Sequence, residues 1–286
     1  MITLTSDEDK AQLREYALEL IKKADFEGLI TLIEVLDECD FSIPYINSFL
    51  AHAAKNGHLK IVKHLVTNGA NIHDDFERPL RFATLKGHLE IVKYLIEHGA
   101  DVHIQNDYIL RGAAEYGHLE IVKYLVKHGA DIHTQNDYAL RYATEKGYLD
   151  IVKYLVENGA DIHANNDFSL RSAADNGHLE IAKYLVEHGA DIHALQDFSL
   201  RWAATNGHFE IVKYLVEHGA DVHAQDDFCL VWPAAKGNLK IVKYLVEHGI
   251  NIQDYALRRA AEYGHAEVVE YLQEVLKNDS THQRTR

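Results

Sequence analysis

GHLEIAKYLVEHGADIHALQDFSLRWAATN, residues Gly177 to Asn206, decides the fold because the chain writes versions of it again and again. Gly117 to Lys146 reads GHLEIVKYLVKHGADIHTQNDYALRYATEK, and Gly207 to Lys236 reads GHFEIVKYLVEHGADVHAQDDFCLVWPAAK. The turn glycine stands at Gly57, Gly87, Gly117, Gly147, Gly177, Gly207 and Gly237, always 30 residues apart, and returns at Gly264 after 27. A fixed period of this length marks a tandem array of one supersecondary unit.

Inside a unit the periodicity is helical twice over. Leu119, Ile121, Val122, Leu125 and Val126 form an apolar stripe, while Glu120, Lys123 and Lys127 point away from it. His128-Gly129 ends that helix, since glycine accepts the left-handed conformation in which backbone N–H groups return to the last carbonyls. After a polar link, Asp137 is expected to cap a second helix from Tyr138 to Lys146, its carboxylate accepting first-turn N–H groups. The small Ala113, Ala114 and Ala143 allow these second helices close packing. Helices this short are marginal alone, so neighbours must bury the stripes and the array is expected to stack.

The run Gly-His-Leu-Glu-Ile-Val-Lys-Tyr-Leu-Val-Glu-His-Gly-Ala-Asp-Ile-His resembles the ankyrin repeat over about residues 42 to 277. The resemblance implies an all-α ankyrin-repeat solenoid of stacked helix-turn-helix pairs. It also implies a role as a non-catalytic protein–protein interaction scaffold or adaptor, binding through the concave inner-helix and finger surface. The chain departs from the family in its clipped finger, three residues short, and in the arginines Arg81, Arg111, Arg141, Arg171, Arg201 and Arg258 where the family has histidine. The 30-residue form is similar to arrays of giant amoeba-infecting DNA viruses. That likeness admits two other roles, a viral adaptor recruiting targets to a host ubiquitin ligase and a structural particle component.

The expected organisation is one elongated domain: a degenerate capping repeat at 1–41, the array at 42–277 with a C-terminal cap, and a polar, disordered tail at 278–286. Ser6-Asp-Glu-Asp reads as a helix start, Leu29 to Leu36 as the partner helix, and Asn47 or Ser48 as the cap of the next. A formal charge of −15 with 47% hydrophobic residues suits a soluble chain and argues against nucleic-acid phosphates or an anionic membrane as partner. Cys39 and Cys229 lie far apart and read as reduced thiols, which points to an intracellular, cytoplasmic setting with the nucleus left open. No stretch approaches the roughly 18 apolar residues of a membrane span, and Met1 to Thr5 lacks the features of a signal peptide. A monomer is expected.

Seventeen of the 20 histidines fall on three ladders that advance once per repeat: the turn (His88, His118), the helix end (His98, His128) and the link (His103, His133). Packed helices lie about 8–10 Å apart, whereas zinc ligands lie about 2 Å from the ion, so successive rungs cannot share one. Hydrogen bonding to neighbouring turns and helix carbonyls is the expected duty. Asp101 and Asp131 read as turn residues, and Asp107 with Arg111 as an ion pair four apart on one helix. No phosphate loop, Ser/His/Asp arrangement or Cys/His zinc spacing stands outside the period, so no catalytic residue, metal or cofactor is assigned.

Function is sought where the copies disagree. After the arginine come Phe82, Gly112, Tyr142, Ser172, Trp202, Trp232 and Arg259, and two before the turn glycine come Leu85, Glu115, Thr205 and Glu262. The resemblance places the first slot on the groove-facing inner helix. Large rings anchor interfaces because they bury much area with few rotors, so Trp202 and Trp232, on adjacent rungs, lead a set completed by Phe82, Tyr142, Tyr116 and Arg259. Tyr108, Tyr138, Phe168, Phe198, Phe228 and Tyr255 hardly vary and read as packing. One unit is irregular: Val231 replaces the arginine, Pro233 falls in the inner helix, Asn238 replaces the turn histidine, and the next link is three residues short. A bend beside Trp232 is expected there.

Overall fold

The short amphipathic stripes fold as the period requires. The computed structural model describes residues 7–37 and 43–284; Cys39 and Met1 to Thr5 lie outside them, and all described elements are helical. No strand occurs among the described residues, so the clipped finger keeps no β pairing. Nine helix pairs follow one another among these residues. The first is Asp7–Lys22 with Phe26–Asp37, where Ala24 takes the positive φ (56°) that glycine supplies at later turns. Then come Ile43–Asn56 with Leu59–Thr67, Asp74–Leu85 with Leu89–Glu97, and Ile104–Glu115 with Leu119–Lys127.

Contacts gather into two compact units, residues 1–142 and 143–286, with the division inside the helix Thr134–Lys146, where the sequence period suggests one elongated domain. In the first unit the inner helix Asp74–Leu85 packs between Ile43–Asn56 and Ile104–Glu115. The outer helix Leu89–Glu97 packs between Leu59–Thr67 and Leu119–Lys127. In the second unit Ala164–Asn176 packs on Ala194–Asn206, and Leu179–Glu187 lies between Leu149–Glu157 and Phe209–Glu217. Each unit is thus a stack in which a repeat touches its neighbours. Ile121, Val122 and Leu125 of the outer helix and Leu110, Ala113 and Ala114 of the inner helix are buried, as the stripes require.

Helix ends follow the expected chemistry. Past Lys127, Gly129 N–H donates to the Val126 carbonyl and Ala130 N–H to that of Leu125, the paired bonds of a left-handed glycine cap. The turn glycines have a second reason to be glycine. A Cβ at Gly177 would meet the His208 ring at 2.7 Å, because that ring crosses the turn to place Nε2 2.9 Å from the Asp175 carbonyl one repeat back. His88, His118 and His178 make the same bond to Lys55, Leu85 and Glu145.

The last helix, Ala266–Arg284, runs through residues 278–284, where a disordered tail is expected. Val268 and Leu272 are buried and hold its first turns. Once a helix is nucleated each further residue adds a backbone bond, so polarity alone does not end it.

Leu125 and Leu155 are fully buried, so Leu125→Ala or Leu155→Ala is expected to cost about 2–5 kcal/mol in denaturant unfolding; a loss under about 1 kcal/mol contradicts the assigned stripe. Gly177→Ala is expected to destabilise more than Gly189→Ala. Both positions have positive φ, 80° and 96°, but only the first meets a ring within 4 Å. Equal thermal shifts would show that the histidine contact carries no weight.

Candidate functional site

The link between helices holds a feature that the sequence hides. Gln105, Asn106 and Asp107 all lie in the left-handed region (φ 50°, 55°, 52°), as do Asn165 to Asp167 and Leu195 to Asp197. One turn of left-handed chain therefore precedes each of these inner helices. Such conformations cost about 1–2 kcal/mol per residue, least for Asn and Asp, which bond locally. Exposure lets Leu195 and Phe76 occupy the turn as well.

This turn overturns the expected role of the aspartates. Asp107, Asp167, Asp197 and Asp227 are buried, and none caps its own helix. Their Oδ1 atoms instead accept the backbone N–H of the residue 24 further on: Asp131 (3.1 Å), Asp191 (2.8 Å), Asp221 (2.9 Å) and Asn251 (3.2 Å). Asn47 does the same for Asn71 at 2.7 Å, from inside its helix rather than at its cap. The left-handed turn swings the carboxylate off its own first turn and toward the next repeat. The link histidines place Nδ1 beside the same oxygens, 3.1 Å for His103 with Asp107. The Gly-Ala-Asp aspartates do serve the turn, Asp101 accepting the His103 N–H at 2.8 Å.

The arginine ladder is corrected by the same geometry. Arg111 does not pair with Asp107; it donates to the Gln105 carbonyl and to Gln135 Oε1. Arg171 and Arg201 donate to the turn carbonyls of Asn165, Asn166, Leu195 and Gln196. Those carbonyls lie outside any helical ladder and need donors. The helix-start rings bracket these guanidinium groups: Arg171 lies 5.5 Å from the Phe168 ring and 5.1 Å from that of Phe198.

The candidate residues separate by unit. In the first unit Phe82 is half-buried with Lys55 over its ring at 5.6 Å. Tyr142 stacks on Tyr138 at 4.0 Å, and burial together with the Tyr142 hydrogen bond pushes the Tyr138 hydroxyl up to about 12. Tyr116 is exposed. In the second unit Trp202 and Trp232 come together in one cleft of about 290 Å³, lined also by Arg201, Thr205, Phe228 and Lys236. Trp202 is 39% exposed and its ring lies 5.5 Å from that of Phe198. Arg259 adjoins Trp232, 5.9 Å from its ring, held by the Tyr255 hydroxyl (2.9 Å) and Glu262 (3.0 Å), which together raise its pKa.

The irregular unit shapes this cleft. Ala224–Asp227 is followed by a 3-10 turn, Phe228–Leu230, and α-helix resumes only at Val231–Ala235. Pro233 has no N–H for the Cys229 carbonyl and its ring crowds that group, so the helix restarts with proline in its first turn. Trp232 rides on the restarted segment. Beside it Cys229 is buried, and burial pushes its thiol up to about 12, which leaves no thiolate for chemistry. Phe228 and Lys236 escaped the sequence reading because the first belongs to a repeating packing position and the second sits beside the turn glycine. Thr205 was visible as a variable position.

A stack of paired short helices with histidine-crossed glycine turns defines a class of tandem helix-pair repeat proteins. Residues 20–106, 103–166, 163–226 and 200–283 match the family pattern described as ankyrin repeats (3 copies), and the chain belongs to that family. The crystal structure of the human ASB11 ankyrin repeat domain is similar in fold, with a TM-score of 0.64 and 24% identity over 71% of this chain and 99% of that one. No curated protein matches the sequence. Among the described residues no three His, Cys, Asp or Glu side chains are grouped to hold a metal ion, and no helix is long and apolar enough to cross a membrane.

Asp227 offers a pH test of the inter-repeat bond. Burial acts to raise its carboxyl, but hydrogen bonds from Asn251 and His223 outweigh it and hold the group below its usual 3.8. A depressed folded value means the stabilisation is complete above the unfolded value and is lost as pH falls through the folded one. The stability gap between the native chain and Asp227→Asn is therefore expected to be full near about pH 6 and to shrink toward about pH 3. A gap that grows on acidification in urea unfolding would refute the assignment.

Proposed function

We propose that this protein is a partner-binding module whose aromatic cleft receives an apolar side chain of a protein segment. Ankyrin repeats generally mediate protein–protein interaction, and the observation that carries the reading here is the meeting of Trp202 and Trp232 from adjacent rungs in one open cleft. At about 290 Å³ the space lies at the lower bound of small-molecule sites and suits one large side chain. Arg201 and Lys236 in its lining oppose a quaternary ammonium, the other common guest of clustered rings. Phe82, Tyr142 and Tyr116 are secondary contact candidates in the other unit. The likeness of the 30-residue unit to giant-virus arrays makes host-cell cytoplasm the place to seek the partner and an adaptor role the form its binding takes.

The chain has two tryptophans and both line the cleft, so intrinsic fluorescence reports occupancy directly. A partner found by proximity labelling, reduced to its binding segment as a synthetic peptide, is expected to shift that emission. Trp202→Ala and Trp232→Ala are each expected to weaken binding more than about tenfold, with the melting temperature little changed for the half-exposed Trp202. Unchanged affinity in a folded double variant would sink the proposal.

A further inference from the structure

The aromatic cleft carries charge of the opposite sign to the chain's formal −15. At the slot two residues before the turn glycine, Glu115, Glu145 and Asp175 give three successive rungs an acid, and Glu262 gives one to the last. Thr205 and Ala235 break that run on the two rungs that carry Trp202 and Trp232. The charged residues lining the cleft are accordingly Arg201 and Lys236, with no acid beside them. One rung back the corresponding cleft, of about 340 Å³, is lined by Glu145 and Asp175 as well as Arg171.

Local geometry keeps that positive charge from being cancelled. Lys146 is paired with Glu145, the residue before it, at 2.9 Å. Lys236 stands in the same slot but follows Ala235, and its ammonium donates to the neutral Asn206 Oδ1 at 3.2 Å. Asn206 is held in turn by Asp175, to which its Nδ2 donates at 2.7 Å, so the amide fixes the ammonium at the rim one side chain away from the acid. Arg201 donates to the neutral oxygens of Leu195, Gln196 and Gln225, while Asp197, one turn before it, gives Oδ1 to the Asp221 N–H. Beside Trp232, Arg259 and Glu262 neutralise each other at 3.0 Å. Neither Arg201 nor Lys236 has an ion pair among the described residues.

We infer that the partner segment carries an acidic side chain, aspartate or glutamate, next to the apolar residue that enters the aromatic cleft. Seating a segment over the rim strips water from the Lys236 ammonium, and a charge taken out of water without a counter-charge is costly. A carboxylate from the segment offsets that cost, whereas a basic neighbour adds repulsion. A phosphate is suited to a cluster of free guanidinium groups, and Arg201 is already committed to its turn carbonyls. The overall charge of −15 repels acidic chains in general, so this local reversal of sign selects by position. The inference rests on the partner-binding reading of the cleft; the sign of the neighbour rests on Thr205, Ala235 and Lys236.

Titration of the tryptophan emission of the full chain tests the sign, at about 0.15 M salt, where charges more than about 8 Å away are largely screened. The probes are acetylated and amidated peptides: Gly-Glu-Phe-Glu-Gly, Gly-Gln-Phe-Gln-Gly and Gly-Lys-Phe-Lys-Gly. The glutamate peptide is expected to bind about threefold or more tighter than the glutamine peptide, the scale of an exposed ion pair, and the lysine peptide to bind most weakly. Lys236→Gln is expected to erase the preference for glutamate over glutamine. Thr205→Glu, which restores the acid of the regular slot, is expected to reverse it; neither side chain is buried. Equal binding of the peptides to the parent chain, or an unchanged preference in Lys236→Gln, would overturn this inference and leave the aromatic reading standing. Tighter binding of hydrocinnamate, a free acid with the same ring, than of the glutamate peptide would overturn it in favour of a small-molecule guest. No binding by any peptide would remove both readings together.

Discussion

One buried carboxylate per rung sets the terms for the rest of the chain. The hydrophobic stripes supply area, but apolar contact is non-directional and would tolerate a sliding neighbour. The backbone N–H at the first polar position of each link needs a partner once the repeats close over it. Asp107, Asp167, Asp197 and Asp227 provide that partner, always across 24 residues, and so fix the register at which one repeat meets the next. The three-residue left-handed turn aims the carboxylate, and the arginine that follows satisfies the carbonyls that the turn leaves outside any ladder.

The shortened link supports this chain of causes. Between Gly249 and Tyr255 the sequence lacks three residues, and the positive-φ run is gone with them; Gln253 is extended (φ −83°, ψ 143°) and the helix starts at Asp254. Without the turn Asp254 is exposed rather than buried, and Arg258 has no turn carbonyls to hold. It then lies 3.9 Å from Asp254, the i,i+4 partner expected for the other arginines. Both side chains are exposed, so that pair contributes little. The same residue types therefore adopt either arrangement according to three residues of link.

This also explains what could be read from the sequence. The helix pairs were legible because period and stripe are properties of residue order, and the cleft was legible in outline because Trp202 and Trp232 stand at a slot where other copies carry Gly112 or Ser172. The left-handed turn was not, since Gln105-Asn106-Asp107 carries no glycine to signal positive φ and an aspartate before an aromatic reads equally well as a helix cap. With the cap misassigned, the Asp107–Arg111 pair followed from helical spacing alone. The delay at Pro233 was legible because proline's missing N–H acts locally, whatever the neighbours do.

The repeat departs from its own rule on one rung. Val231 leaves the rung that carries Trp232 without the guanidinium that elsewhere donates to the turn carbonyl six residues back, as Arg201 does to Leu195, while Gln225 meets Arg201 of the rung before as Gln135 meets Arg111. Pro233 moves the helix start, which sets the second ring of the cleft on a restarted segment. Both changes fall on the one irregular rung, two residues apart. In a stack where each repeat is stabilised by its neighbours, such irregularities persist because the adjoining regular rungs hold the irregular one in place.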